Sequence, residues 1–594
     1  MSIEQLDFST ALVDLLRRKN PAAPADLLGL AAELAKASER GDVCVAVPQR
    51  TDIAAWLQSG LVGEAGSFTP LIVSQQRLYL ARYHQYEARL AEQLLALAAS
   101  APPAPDAAQL TALLHTFFAS SAENPDWQKV AVAAALHQRL TVISGGPGTG
   151  KTTTLIKLLA LLQITAAQPP QGTSAQPLRI LLAAPTGKAA MRMQEAIRKG
   201  KAELQQQGLL TAEIAAQIPD TASTLHRLLK NKLNSVQFHH TAQQPLLLDV
   251  LVLDEASMID LALMSKLVDA LPPHGRLILL GDKDQLSSVE AGAVMGDLCA
   301  GAGLSPQFAA QLSQLTGQHI EAGFSDSKLG DHVMTLQKSY RFSGVIGDLA
   351  RAINSGDLRK LSTLLAKAKL EVSAPLTWYN SNPAQQGGDL IAPLMEGYAD
   401  FFAAIASDTT PLDVFKAFDA FRVLSPIRHG AASVSRVNAL IETQLVKRGL
   451  RMSDQVWYAG RPVLVPQNLY ELDLYNGDIG LTLPDESGKL WVHFPNADGG
   501  TRKVAPARLP AVETAFAMTV HKSQGSEFGH VLLLLPSPAD GSAGYLSREL
   551  VYTAITRARS KVSLWGEESV IASASRKGVA RQSGLAQRLM TSWG

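Results

Sequence analysis

Residues 145–154, GGPGTGKTTT, have the residue types and spacing of a phosphate-binding loop. Gly145, Gly150, Lys151 and Thr152 satisfy G-x-x-x-x-G-K-[ST]. Backbone N–H groups in such a loop must curl round the phosphates, and this favours glycine where the chain is crowded or takes a positive φ. The helix that follows must aim its N-terminus at the negative charge. On this reading Gly145, Gly146, Pro147, Gly148, Thr149, Gly150 and Thr153 cradle a nucleotide. Lys151 reaches the β- and γ-phosphates, and the Thr152 hydroxyl ligates Mg²⁺. Downstream, Asp254 and Glu255 end the apolar run 246–253. The first acid is expected beside Mg²⁺, and the second is expected to orient and deprotonate the attacking water. Gln285 follows another apolar run, 276–280, and can hydrogen-bond the γ-phosphate or its water. Gln128 precedes the loop, and its carboxamide can donate and accept at an adenine edge. Arg341, in LQKSYRF, and Arg557, in LVYTAITRAR, are candidate guanidiniums for the γ-phosphate from the opposite wall of a cleft.

A second set of residues suits the phosphates of a nucleic acid strand. Thr186 and Lys188 stand at the carboxyl end of the run 179–184, where open α/β sheets place ligands. Thr224, His226 and Arg227 open LHRLL in the same way. His521, Lys522, Ser523 and Gln524 crowd one turn, which is costly on a core face, so a solvated, ligand-facing loop is expected there. The pair His239-His240 has no further ligand at metal spacing and reads as exposed loop.

The elements that must position these residues follow from the pattern. Residues 1–110 are mainly helical, with short strands expected within 42–80, and end in the Ala/Pro-rich segment 97–109. This region shows no catalytic constellation, and contact with a partner or with the rest of the chain is its expected role. Two helices over 111–140 lead to the phosphate loop. Four buried-type strands within 111–335, separated by helices, predict a parallel α/β sheet, with a small hairpin over 231–247 and a Gly/Ser-rich surface excursion over 301–330. A second α/β domain is expected over 336–594. It is interrupted at about 450–511 by short alternating strands and Asn-Gly, Pro-Asp and Asp-Gly-Gly turns, the pattern of a small SH3-like β-barrel. The helix 550–559 carries Arg557 and Arg559, and the basic tail, with Arg576, Lys577, Arg581 and Arg588, reads as a solvated face.

The chain has 594 residues, 46% hydrophobic and 18% charged, with a formal net charge of +1. That length exceeds one ordinary core, and the balance of charge confines any nucleic-acid surface to a local track. Cys44 and Cys299 fit no metal spacing, and small buried hydrophobes in a reducing compartment are expected. With no long apolar span, the reading is a soluble cytoplasmic protein.

In order along the chain, GGPGTGKTTT, LAAPTGKAA, STLHRLL, VLDEASMID, GDKDQLSSVEAG, QKSYRF, MTVHKSQGSEF and LVYTAITRAR resemble the motifs of the superfamily 1 helicases. The series is similar to that of the 5′-to-3′ branch, and within it to the motor subunits of bacterial helicase–nuclease complexes. It runs from about residue 124 to the C-terminus.

The resemblance implies two RecA-like motor domains that close on ATP and step along single-stranded DNA from 5′ to 3′. Gln128 would read adenine, Lys151 and Thr152 would hold phosphate and Mg²⁺, and Asp254 with Glu255 would bind Mg²⁺ and activate water. Gln285, Arg341 and Arg557 would sense the γ-phosphate. Thr186, Lys188, His226 and the segment from Thr519 through His521 and Lys522 to Ser523 would form the DNA track. It further implies a heterotrimer in DNA-break repair, in which residues 1–110 dock on a large scaffold subunit beside a nuclease-helicase subunit. Competing readings are a stand-alone DNA or RNA helicase and a non-catalytic ATP-binding subunit. The second conflicts with the presence of Glu255 and Arg557.

Overall fold

The computed structural model describes the chain except residues 1–6, 104, 120–123, 169–175, 233–234, 236, 341–343, 371–373, 382–389, 408, 497–498, 538–545, 580 and 591–594. Helices Phe8–Lys19 and Ala25–Glu39 pack on a four-stranded sheet formed within residues 44–80. The next helix, Ala81–Ala98, buries Leu90, Ala91 and Leu94 in the same core as Leu140 and Val142 of the following sheet. The N-terminal region therefore shares a core with its neighbour instead of hanging from the linker.

That neighbouring sheet is six-stranded and wholly parallel. Its spatial order is Val333–Leu336, Leu140–Gly145, Arg276–Gly281, Val250–Leu253, Ile180–Ala184 and Ala222–Thr224. Helices cover both faces, so central strands such as Val250–Leu253 are buried at every position. The sequence pattern predicts four of the six. The two it misses, Ala222–Thr224 and Val333–Leu336, are short edge strands. The run 246–253 is a strand only from Val250. Within 231–247 the described residues make isolated bridges, Asn231 with Phe238 and Thr241 with Gln244, in place of a ladder. The expected excursion at 301–330 contains a helix, Pro306–Thr316, capped by the Ser305 hydroxyl and buried through Leu312 and Leu315. The capping serine followed by proline was the available signal.

The second parallel sheet has the order Leu376–Tyr379, Ala558–Trp565, Phe528–Leu534, Phe421–Ser425 and Ala517–Thr519. Between its strands the chain makes a separate five-stranded antiparallel sheet over residues 462–514, with its own core of Val463, Val492, Phe494 and Val504. The helix before Arg557 is Arg548–Ile555. Arg557 itself lies in the turn after it, and Arg559 lies in the next strand.

The tail is a solvated face only in part: Arg576 and Lys577 are exposed, whereas Arg581 and Arg588 are drawn into contacts. Lys577 and Val579 are held on the second unit by hydrogen bonds with Arg548 and Glu549. Residues 581–590 cross back to the first unit and the N-terminal region. The amide of Gln582 donates to Asp42 at 2.8 Å and its carbonyl accepts from Val43 at 2.8 Å. The Arg581 guanidinium donates to the carbonyls of Glu290 and Gly292 at 2.7 and 3.1 Å. The Glu87 carboxylate, fully buried, accepts from the Gly584 amide and the Arg588 Nε, both at 2.8 Å. Both cysteines are free and buried, and among the described residues no helix is long and apolar enough to cross a membrane.

Candidate nucleotide site and its borders

The loop between strand Leu140–Gly145 and helix Lys151–Ala167 has the backbone its sequence requires. Gly148 and Gly150 take φ of 78° and 82°, a region that favours glycine. A Cβ on Gly150 would stand 2.1 Å from the Gln128 amide nitrogen. That amide is set by its own helix, Trp127–His137, which Asp126 caps by accepting from the amides of Gln128 and Lys129. It donates to the Thr149 carbonyl at 3.0 Å. The Lys151 ammonium lies on the loop itself, donating to the carbonyls of Gly145 and Gly146.

A cavity of about 600 Å³ opens over this loop, and its lining brings together Gln128, Gly148, Gly150, Lys151, Thr152, Thr153, Asp254, Glu255, Gln285 and Arg557. Residues from five separate stretches of sequence thus meet in one cleft. Burial, with Glu255 adjacent, raises the Asp254 pKa, and Lys151 opposes the shift. Glu255 sits at φ 52°, a left-handed conformation costly for a residue with a Cβ and found disproportionately at functional sites.

Gln285 is held rather than free. It is almost fully buried, and its amide donates to the Asp282 carboxylate at 3.1 Å. Asp282 is itself buried, which pushes its pKa up to about 6 against the pull of Lys151. Arg557 reaches the cleft from the second unit, anchored by donating to the carbonyls of Thr553 and Ser526 at 3.2 and 3.3 Å. Arg341 lies outside the described residues.

The strand-contact candidates divide into two places. Thr186 and Thr224 each cap the helix they precede, accepting from Ala189 N at 3.2 Å and Arg227 N at 3.4 Å. Lys188, Thr224 and Arg227 border a cavity of about 380 Å³ together with Asp473, Tyr475 and Arg502 of the antiparallel insert. Burial there, with Arg192 next in effect, brings the Lys188 ammonium down to about 8. His226 is exposed, with its ring 5.9 Å from that of Phe238.

Thr519, His521, Lys522 and Ser523 do not line that cavity. The solvated loop expected over 521–524 is half-built into the interior. Ser523 is fully buried and donates to the Val520 carbonyl at 2.7 Å, so it is an internal turn residue. Gln524 donates to the Leu286 carbonyl at 2.8 Å and thereby joins the two units. Lys522 is paired with Glu513 at 2.8 Å, and Thr519 accepts from the Lys522 amide at 3.3 Å.

Sequence reasoning missed Lys157, Arg192 and Glu527, which also line the nucleotide cleft. It also missed Asp282, although GDKDQ was in view. Its contacts in the fold, that of Gln285 among them, reveal what that aspartate does.

Residues 128–291 match the family described as AAA domain, and residues 514–565 match the UvrD-like helicase C-terminal domain. A phosphate loop on one parallel sheet, met across the cleft by an arginine from a second, together with these two matches makes the chain an ATP-hydrolysing helicase. The RecBCD enzyme subunit RecD of Haemophilus influenzae is 37% identical over 80% of this chain and 74% of its own length. That of Mycolicibacterium smegmatis is 38% identical over 86% and 82%. The ATP-dependent RecD2 DNA helicase of Deinococcus radiodurans is more distant, at 28% identity over 81% of this chain and 56% of its own. The chain belongs to the RecD family.

Proposed function

We propose that the chain is a 5′-to-3′ motor on single-stranded DNA, acting as a subunit of a helicase–nuclease complex in double-strand break repair and recombination. One arrangement carries this reading: Lys151, Asp254, Glu255 and Gln285 of the first α/β unit and Arg557 of the second border a single cleft. ATP bound there touches both units, so that binding draws them together and hydrolysis releases them.

In this scheme the two parallel sheets are RecA-like domains, over about 111–335 and 336–594, and the antiparallel insert is an SH3-like module. Residues 1–110 dock on a scaffold subunit next to a nuclease-helicase subunit. Gln128 reads adenine. Gln285 and Arg557, with Arg341, respond to the γ-phosphate. Thr186, Lys188, His226, Thr519, His521 and Lys522 belong to the strand track.

The donor set suits Mg²⁺. The buried Asp254 carboxylate and the Thr152 hydroxyl line the same cleft, with Glu255 beside them. Mg²⁺ is bound by few protein oxygens together with substrate phosphates and water, in keeping with the lack of a three-residue metal cluster among the described residues. Mg²⁺ would neutralise phosphate charge. Around it Lys151 would bind the phosphates, Glu255 would take the proton of the attacking water, and Arg557 would stabilise charge developing on the γ-phosphoryl group.

The test is ATP turnover with and without single-stranded DNA, together with unwinding of duplexes carrying a 5′ or a 3′ tail. It uses the chain and its co-purified complex, with Lys151→Gln alongside. The expected result is DNA-stimulated turnover and unwinding from the 5′ tail, both lost in Lys151→Gln. Turnover and unwinding that survive Lys151→Gln in the complex would refute the motor.

A further inference from the structure

The phosphate-loop pattern accounts for Gly145, Gly150, Lys151 and Thr152, but it leaves position 146 free. The structure gives a separate reason for glycine there. A Cβ on Gly146 would stand 2.8 Å from the phenolic oxygen of Tyr552 and 3.9 Å from a carboxylate oxygen of Asp282. Tyr552 belongs to helix Arg548–Ile555 of the second α/β unit, two turns of chain from Arg557 at most, and its side chain is nearly buried. Its hydroxyl donates to Asp282 Oδ2 at 3.2 Å, the same oxygen that accepts from the Gln285 amide at 3.1 Å.

The neighbouring residue of the same helix, Thr553, accepts from the Leu286 amide at 2.8 Å, and Gln524 donates to the Leu286 carbonyl at 2.8 Å. Among the described residues the second unit therefore holds the 282–286 segment at three points. Only the Tyr552 contact also touches the phosphate loop.

We propose that Tyr552 is a positioning residue for ATP turnover: seated against Gly146, it fixes Asp282, and through Asp282 it sets the Gln285 side chain on the γ-phosphate side of the cleft. This deepens the proposed function and rests on Gln285 serving the γ-phosphate. It gives the second unit a route to the phosphates separate from Arg557. When the units part, the phenol leaves Asp282, which keeps the Asp284 amide at 3.1 Å on its other oxygen, and the acceptor of Gln285 is held less firmly. When they close, the contact is restored. Hydrolysis is thereby confined to the closed arrangement without Tyr552 touching ATP.

Tyr552→Phe keeps the buried ring and removes only the hydroxyl. In the full chain with oligo-dT, kcat for ATP should fall about tenfold, the loss expected when a hydrogen bond to a carboxylate is removed. Affinity for a fluorescent N-methylanthraniloyl-ATP should stay the same, because no nucleotide contact is lost. A purely structural role would weaken binding and turnover together. In a Gln285→Ala background, Tyr552→Phe should cost nothing further. Gly146→Ala should slow the wild-type chain and be relieved in the Y552F background, where the nearest atom is gone.

Wild-type kcat in Y552F, or losses that multiply in the double variant with Q285A, would overturn the inference. Wild-type turnover in Q285A itself would instead overturn the role proposed for Gln285. Turnover insensitive to Lys151→Gln would overturn the motor reading as a whole.

Discussion

Removing the Glu87 carboxylate should release the C-terminal tail from the N-terminal region. Glu87 is 0% exposed and accepts four hydrogen bonds: from Gly584 N and Arg588 Nε at 2.8 Å, and from Ser583 Oγ and Tyr79 Oη at 3.2 Å. Three of the four donors belong to the tail. In Glu87→Ala the Arg588 guanidinium, whose side chain is 18% exposed, keeps His84 Nε2, at 2.9 Å, as its one polar side-chain partner among the described residues. Breaking a buried ion pair from one side costs about 3–5 kcal/mol. Arg588 can recover some hydration by turning outward, so the lower end, about 3 kcal/mol, is the better figure. Glu87→Gln keeps the volume and one acceptor and should cost about 1–2 kcal/mol.

The assay is native-state amide hydrogen exchange on peptides covering 43–45 and 582–589. These amides should open together, because Val43 N bonds the Gln582 carbonyl. A loss of about 3 kcal/mol corresponds to roughly a hundredfold faster exchange in Glu87→Ala, with Glu87→Gln between it and the wild type. Peptides of the second sheet, such as 528–534, should be unchanged. Tail protection preserved in Glu87→Ala, or lost equally in both variants, would refute the argument.

Two further predictions concern titration and reactivity. Asp297 lies beside the tail, and burial raises its pKa to about 7, with Glu87 reinforcing the shift and Ser583 opposing it. The folded chain therefore keeps a proton that the unfolded chain releases from about pH 4. Stability should fall as pH rises from about 4 to 7 on this account and level off above. Asp297→Asn lacks that slope and should gain on the wild type in urea midpoint between pH 5 and pH 8. A difference that does not change with pH would contradict this. Cys44 and Cys299 are both pushed to about 12, chiefly by burial. Neither should react with a thiol reagent at pH 8 until the chain unfolds, and rapid labelling of the native chain would show the burial to be wrong.

Much of the nucleotide cleft was legible because its parts are local signatures. Glycines at fixed spacing, an apolar run ending in two acids, and an arginine late in a helical pattern each declare themselves within a dozen residues. Edge strands such as Ala222–Thr224, Val333–Leu336 and Leu376–Tyr379 were not legible, since three or four residues carry too little periodicity. Hydroxyls and charges are ambiguous for a different reason. Ser523 in a polar turn looks the same whether its hydroxyl meets water or the Val520 carbonyl. Arg588 looks like a solvated tail residue until Glu87, far back in the sequence, is seen to receive it. Tyr552 and Asp282 mean nothing separately, and only the packing of one unit on the other makes them a pair.

The tail has a mechanical consequence. The chain passes from the first α/β unit to the second between Tyr340, whose amide bonds the Gly148 carbonyl at 2.8 Å, and helix Val345–Ser355. It passes back between Val579, fastened to Glu549, and Arg581, fastened to the carbonyls of Ser288, Glu290 and Gly292. Two bodies joined by one tether can tumble about it in any direction. Bodies fastened on either side of two crossings have fewer relative motions open to them than bodies joined at one. One of those crossings abuts the phosphate loop. A displacement of the chain at Tyr340 is therefore carried by one hydrogen bond directly to the Gly148 carbonyl.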